Sequence, residues 1–182
     1  MSRRIASSEA TVVSGAERDI RARLEVHELD FVAMSAVSNI YRTGAAIRNH
    51  MERTLLADYD LSWVAFTVLW VLWIWDEQET GHVAAEAGIT KGTLTGVIKT
   101  LQGRKLIRRI PHRDDRRRVS IALTRTGVRL IEEVFPEFNR RESLAVGTLS
   151  EEEQLELARL LRVVLARIND VDTLDGTRAD PA

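Results

Sequence analysis

Ten basic side chains fall between positions 91 and 118, against only two acidic ones, Asp114 and Asp115. This segment has a net charge of +8, which leaves −9 for the rest of a chain whose formal net charge is −1. Ammonium and guanidinium groups bind phosphates, and a basic face on an acidic body is typical of proteins that bind polyanions. An ordinary solvated surface, the alternative, usually intersperses both signs. The ten residues are Lys91, Lys99, Arg104, Lys105, Arg108, Arg109, Arg113, Arg116, Arg117 and Arg118.

Two short helical patterns, separated by a turn at Gly88, lead into this basic segment. We predict a first helix over positions 82–87 and a second over 91–104, with Thr90 as its N-cap. Ala84 is small enough for the point where the helices cross, and Gly88 tolerates a positive φ at the corner. The pattern predicts a helix-turn-helix. Its joining apolar faces are expected at Val83, Ala87, Ile89, Leu94, Val97 and Ile98.

The outer face of the second helix consists of threonine, lysine and glycine. Threonine hydroxyls and lysine ammonium groups can donate to phosphates or base edges, and a threonine methyl can contact a thymine methyl. Gly92 and Gly96 each cost roughly 1 kcal/mol of helix stability relative to Ala. Either close approach of DNA offsets this cost, or the glycines ease packing. The expected DNA contacts are Thr90, Lys91, Gly92, Thr93, Thr95, Lys99 and Thr100.

Two short apolar runs, 106–110 and 119–123, flank a highly charged connection, a pattern that predicts a β-hairpin. The second run alternates larger apolar residues with small ones, as a half-buried strand would. Arginines at a hairpin tip are favourable beside phosphates, and a narrow minor groove attracts inserted arginine. Aspartates there are better suited to orienting neighbouring arginines. The expected contacts in this wing are Arg113, Asp115, Arg116 and Arg117.

Residues 61–127 resemble the multiple-antibiotic-resistance regulator (MarR) family of winged helix-turn-helix regulators. The matching features are the Leu61-Ser62 opening, the helix-turn-helix, the Asp-x-Arg element on Asp115 and Arg117, and the run from Leu123 to Gly127. The resemblance implies that Arg117 enters the minor groove while Asp115 holds the wing in shape. It also implies that the first and last helices form a dimer interface.

The rest of the chain is predicted to be helical around this domain. The expected fold is mainly α, a winged helix-turn-helix with a two-stranded wing flanked by N- and C-terminal dimerisation helices. Ser62 is expected to cap the helix that follows it, and Ser150 with Glu153 forms a capping box for the last helix. The expected divisions are disordered tails at 1–15 and 172–182, dimerisation helices at 16–60 and 126–171, and the DNA-binding domain at 61–125.

All four tryptophans lie in one apolar stretch, 61–75, which is too short to span a bilayer as a helix. Its aromatic stripe is either plain core or the wall of an apolar pocket, where the resembled family commonly binds small aromatic or anionic effectors. An effector there would release DNA by a population shift. The expected pocket residues are Tyr41, Arg48, Trp63, Phe66, Trp70 and Trp73.

The chain has no cysteine, no clustered histidines, no nucleophile motif and no nucleotide-binding fingerprint, so we expect no metal, no cofactor and no enzymatic activity. No signal peptide is visible, which favours a cytoplasmic location. The expected function is a dimeric, ligand-responsive repressor that binds a palindromic operator in duplex DNA. The alternatives are a non-sensing architectural DNA-binding protein, an activator of the same fold, and a helical dimer acting through protein partners. The operator, effector, regulated genes and sign of regulation stay open.

Overall fold

The computed structural model describes residues 15–24, 29–111 and 119–174. Within these ranges a mainly helical chain carries one small antiparallel sheet, which confirms the predicted fold class. The elements are α1 (Gly15–Leu24), α2 (Phe31–Thr54), a 3-10 turn (Leu56–Tyr59), α3 (Trp63–Trp75), β1 (Gln78–Glu79), α4 (Thr80–Glu86), α5 (Lys91–Gly103), β2 (Ile107–Pro111), β3 (Val119–Leu123), α6 (Arg125–Val146) and α7 (Glu151–Leu174). Two compact units divide after Arg141, within α6.

The sheet contains one strand more than the predicted two-stranded wing. β2 and β3 form the expected hairpin, and β1 pairs with the other edge of β3, with Gln78 opposite Ile121. A two-residue strand has no periodicity of its own, so the sequence pattern did not reveal it. The first helix of the helix-turn-helix also begins two residues earlier than predicted, at Thr80.

β3 is more buried than the half-buried strand that the alternation predicted. Ser120 and Ala122, expected on the exposed face, are 3% and 7% exposed, and Ile121 is fully buried. The reason is that β3 is the central strand and that α3 and α4 both contact it. A small residue in a strand therefore marks close packing here rather than a face open to solvent.

α3 is buried on most faces and forms the centre of the first unit's core. Val68, Leu69 and Val71 are fully buried, as the apolar stretch predicts. Its N-terminus is capped twice, because the Ser62 hydroxyl accepts from the amide of Ala65 at 3.2 Å and the Glu52 carboxylate accepts from the amide of Trp63 at 2.7 Å. The predicted Ser62 cap is confirmed, and Glu52 adds a cap from α2.

Helices α2 and α7 expose much of their apolar surface. In α2 only Met51 is buried, and every side chain described in α7 is exposed or half-buried. The capping box at the start of α7 is confirmed, because the Glu153 carboxylate accepts from the Ser150 amide at 2.7 Å and the Ser150 hydroxyl accepts from the Glu153 amide at 3.2 Å. Among the described helices, none is long and apolar enough to cross a membrane.

The predicted tails fall mostly outside the described residues, which leave out positions 1–14 and 175–182. α1 begins at Gly15 and α7 continues to Leu174, so each helix includes the inner end of a predicted tail.

Candidate DNA-binding interface

Helices α4 and α5 form a helix-turn-helix with a tight corner. Gly88 has φ of 63°, a left-handed conformation that glycine adopts without steric penalty. The amide of Ile89 donates to the carbonyl of Ala84 at 3.0 Å, which closes the turn. Ala84 itself is 4% exposed, so a small side chain is needed where the helices cross. The positive φ predicted for Gly88 is confirmed, and Ala84 is buried, which is consistent with its predicted place between the helices.

The apolar side chains that were expected to join the two helices lie in or against the core. Val83, Leu94 and Ile98 are buried, and Ala87, Ile89 and Val97 are half-buried against them. Because these residues occupy one side of α5, the opposite side is left facing outward.

Thr90 caps the N-terminus of α5, as predicted. Its Oγ1 accepts from the amide of Thr93 at 3.1 Å and lies 3.0 Å from the Thr93 hydroxyl oxygen. This satisfies one of the amides that a helix start leaves without an intrahelical partner. Both threonines are exposed, at the end of the helix where backbone amides attract phosphate oxygens.

The other two threonines on this face bond back to their own helix. The Thr95 hydroxyl donates to the carbonyl of Lys91 at 2.9 Å, and the Thr100 hydroxyl donates to the carbonyl of Gly96 at 3.2 Å. Both side chains remain exposed. Each hydroxyl proton is thus used within the helix, while the methyl group and the oxygen lone pairs stay available.

The glycines of α5 are not required by packing within the chain. A Cβ on Gly96 would meet nothing within 4 Å, and a Cβ on Gly92 would meet only the Thr90 hydroxyl oxygen at 3.8 Å. Of the two explanations for these glycines, easier packing within the described part of the chain therefore has no support.

Arg104 ties the end of α5 to the turn that precedes α3. Its guanidinium donates to the carbonyls of Tyr59 and Asp60, at 2.8 and 2.6 Å. Asp60 ends the 3-10 turn in a left-handed conformation, with φ of 51°. The phenol of Tyr59, whose carbonyl accepts from Arg104, has its pKa raised by burial and by the neighbouring Glu133 carboxylate. Sequence reasoning counted Arg104 only as part of the basic segment, because carbonyl acceptors carry no side-chain signature.

The wing hairpin follows α5 directly. Pro111 of β2 stands opposite Val119 of β3, at the two ends of the connection 112–118. Arg108 and Arg109 are exposed on β2, and the Arg109 side chain donates to Gln102 of α5 at 3.1 Å. The predicted contacts Arg113, Asp115, Arg116 and Arg117 lie outside the described residues and stay predictions.

The start of α6 fixes the base of the wing. Thr124 donates through its hydroxyl to the Lys105 carbonyl at 2.7 Å and through its amide to the Leu106 carbonyl at 2.9 Å. The same hydroxyl accepts from the amide of Gly127 at 3.1 Å. A Cβ on Gly127 would lie 2.1 Å from the Leu106 carbonyl oxygen, a distance no side chain can occupy. Gly127 is therefore required by close backbone approach.

The described part of the basic segment, positions 91–111, carries six basic side chains and no acidic one. The guanidinium of Arg104 is hydrogen-bonded to backbone carbonyls. The outward positive charge therefore comes from the lysines of α5, from Lys105 and from the arginines of β2. The outer face of α5 presents hydrogen-bond donors, and the described part of its segment contains no carboxylate. Such a face suits the negative phosphates and the base acceptors of a major groove.

The predicted effector residues fall into separate groups. Phe66 and Trp63 pack on Phe138 of α6, at ring-centroid distances of 4.1 and 5.8 Å, and Trp73 packs on Phe135 at 5.2 Å. Trp70 instead meets the exposed Trp75 edge-to-face at 5.6 Å. These contacts favour a structural role for much of the aromatic stripe.

Tyr41 and Arg48 lie apart from that stripe, on the exposed side of α2. Tyr41 lines a cavity of about 920 Å³ between α1 and α2, whose wall contains Phe31, Arg21 and Arg42 but none of the tryptophans. Sequence reasoning missed this cavity because its wall combines residues of α1 and α2, and helical periodicity describes only one helix at a time. Among the described residues, no group of three or more histidines or acidic residues is arranged to hold a metal ion.

Comparison with known proteins agrees with this geometry. The MarR family model matches residues 61–119. The uncharacterized HTH-type transcriptional regulator YwaE of Bacillus subtilis is 37% identical over 151 residues, which cover 81% of this chain and 88% of the relative.

Two solved structures are similar over most of their length. BpsR of Bordetella bronchiseptica, whose DNA binding is regulated by 6-hydroxynicotinic acid, is 27% identical with a TM-score of 0.66, covering 71% of this chain and 97% of that one. MepR of S. aureus, solved as a DNA complex, is 26% identical with a TM-score of 0.65, covering 71% of this chain and 96% of that one.

Proposed function

The chain belongs to the MarR family of HTH-type transcriptional regulators, and from that premise we propose that it is a homodimeric repressor released from its operator by a small molecule. The observation that carries the proposal is the outer face of α5 and β2, which is exposed and basic without an acidic residue between positions 91 and 111. Two such faces in a twofold dimer fit a palindromic operator with half-sites about one helical turn apart.

The parts of the winged domain take different roles on the operator. α5 enters the major groove, where Thr90, Lys91, Gly92, Thr93, Thr95, Lys99 and Thr100 contact phosphates and base edges. Arg117 serves the minor groove with Asp115 orienting it. Arg108, Arg109, Arg113 and Arg116 provide phosphate attraction, which is independent of sequence.

The terminal helices make the dimer. α7 exposes a stripe at Leu157, Leu160, Leu161, Val164 and Ile168, each 40% exposed or more. Contiguous exposed apolar surface of this kind marks a protein interface rather than a solvated face. Placing it in a twofold interface would bury the stripe.

The effector is a small aromatic acid. The similarity to BpsR, whose DNA binding is regulated by 6-hydroxynicotinic acid, supports this class of ligand. The cavity between α1 and α2 has a suitable size. Its lining includes Tyr41 and the arginines Arg21 and Arg42, which suit a carboxylate, beside the acidic Glu17 and Asp30. The other proposed effector residues do not line this cavity and would instead hold a ligand that binds against α3; they are Arg48, Trp63, Phe66, Trp70 and Trp73.

DNA binding is tested by footprinting the purified protein on its own genome's DNA and reading the protected sequences for a palindrome. Arg117→Glu should abolish specific binding, because it places a negative charge where the wing meets phosphates. Arg162→Glu, an equal charge change on α7, is the matched control and should leave protection unchanged. Protection by Arg117→Glu at wild-type concentrations would refute the role given to the wing.

Ligand response is tested by titrating the protein–operator complex with 6-hydroxynicotinic acid and 4-hydroxybenzoic acid while following tryptophan fluorescence and DNA release. Release by either acid, weakened in Tyr41→Ala, supports the sensor. Fluorescence quenching with no change in DNA affinity argues against the switch. A non-sensing architectural protein would instead show steep salt dependence with little sequence preference, and an activator would raise transcription from a promoter beside the operator.

A further inference from the structure

Lys99 has a special place on the outer face of α5. Seven residues make nearly two helical turns, so Gly92 and Lys99 point within about 20° of each other, directly away from the buried side. Gly96 and Gly103 flank Lys99 on the same face, and a Cβ on either would meet nothing within 4 Å. The centre of this face therefore carries one long side chain on an otherwise bare backbone.

The ammonium group of Lys99 is available to a ligand. Lys99 is exposed, and within the described ranges its side chain makes no hydrogen bond or ion pair. Arg104 and Arg109, by contrast, already donate to groups of the chain itself. Of the two lysines on α5, Lys91 has an interaction of its own, whereas Lys99 has none with the described residues.

The two threonines nearest Lys99 along this face, Thr95 and Thr100, do not compete with it as hydrogen-bond donors. The Thr95 and Thr100 hydroxyl protons are spent on the carbonyls of Lys91 and Gly96. What these two side chains offer outward is a methyl group and an acceptor oxygen, which suit a thymine methyl or the amino group of adenine or cytosine. They do not offer what guanine needs, which is a donor to its N7 and O6 acceptors.

We propose that Lys99 is the specificity-determining residue of α5 and reads a guanine in the major groove of each half-site, flanked by bases that Thr95 and Thr100 contact through methyl and acceptor atoms. The inference rests on the proposed operator binding and deepens it. An ammonium group beside N7 and O6 distinguishes guanine from the other three bases, because only guanine presents two adjacent acceptors there.

The test selects binding sequences from a random duplex library with the full-length wild-type protein and three variants. Lys99→Met keeps the length of the side chain and removes the charge. Lys99→Arg keeps a donor for guanine. Lys91→Met is the matched control on the same helix. Circular dichroism melts establish that each variant is folded, as the exposure of both lysines leads us to expect.

Wild-type protein should enrich guanine at one position of each half-site. Lys99→Met should lose about tenfold of this preference at that position, while Lys99→Arg keeps it. Lys91→Met should bind all sequences more weakly and enrich the same consensus, with a salt slope reduced by about one.

An unchanged guanine preference in Lys99→Met, with affinity lowered for every sequence alike, would overturn the assignment and make Lys99 a phosphate contact. A wild-type consensus without guanine would overturn it as well. If wild-type protein enriched no sequence at all, the proposed operator binding itself would fail, which separates that failure from the failure of Lys99.

Discussion

The helix-turn-helix buries its apolar residues, whereas the last helix exposes them. In α5, Leu94, Ile98 and Leu101 are at most 2% exposed, and the polar face is left outward. In α7, the large apolar residues from Leu155 to Ile168 are all between 40% and 65% exposed. The DNA-binding domain thus completes its core within one chain, whereas α7 exposes apolar surface whose contact with water is unfavourable. This difference supports the proposal that α7 pairs with a second copy of the chain.

Charges placed in the α7 stripe should have the largest effect. Leu160 and Ile168 are 47% and 54% exposed, so replacing both with glutamate should leave the monomer folded. Burying two carboxylates in an apolar dimer interface costs several kcal/mol, which corresponds to a loss of at least about 100-fold in dimer affinity. Sedimentation velocity should show a monomer, and operator affinity should fall with it.

Arg162→Glu changes the net charge by the same amount and lies on the opposite side of α7 from the stripe. We expect this control to remain dimeric. If the Leu160→Glu, Ile168→Glu protein stayed a dimer, the contrast between the two regions would not identify the interface.

A single methyl group at the base of the wing should have the next largest effect. Gly127→Ala would place its Cβ 2.1 Å from the Leu106 carbonyl oxygen, so the start of α6 and the base of the wing must separate. Overpacking of this kind costs about 2–3 kcal/mol of the free energy of unfolding. Urea denaturation measures the loss directly.

Gly96→Ala supplies the contrast, because a Cβ there meets nothing within 4 Å. Stability should stay the same or rise by up to about 1 kcal/mol, since alanine is the better helix former. A loss in Gly96→Ala as large as that in Gly127→Ala would contradict this account, because the open space around Gly96 and the helix propensity of alanine both predict no loss there.

Local patterns predicted the helix-turn-helix well because its chemistry is local. The Ser62 and Thr90 caps, the positive φ of Gly88 and the Ser150–Glu153 capping box each depend on residues within four positions of one another. Such contacts leave a readable spacing in the chain.

Long-range contacts were not predictable in the same way. The Arg104 guanidinium reaches carbonyls 44 and 45 residues earlier, and β1 is defined only by its partner β3. Tyr41 was grouped with the tryptophans, but Tyr41 lines the cavity between α1 and α2, whereas Trp63 packs on Phe138 of α6. Backbone acceptors and tertiary neighbours have no residue type of their own, so periodicity carries no information about them.

The smallest effect tests whether Arg104 belongs to the domain's structure or to its DNA-binding surface. Arg104→Met removes two hydrogen bonds to the Tyr59 and Asp60 carbonyls, and unfolding should become about 1–2 kcal/mol easier. Operator affinity should fall modestly because the end of α5 is less firmly held. The dependence of that affinity on salt should not change, since Arg104 neutralises no phosphate.

Arg108→Met, on the exposed edge of the wing, should do the reverse by keeping wild-type stability and reducing the salt slope by about one. If Arg104→Met reduced the slope as well, its guanidinium would leave the carbonyls when DNA binds, and the division between positioning and phosphate-binding arginines would have to be redrawn.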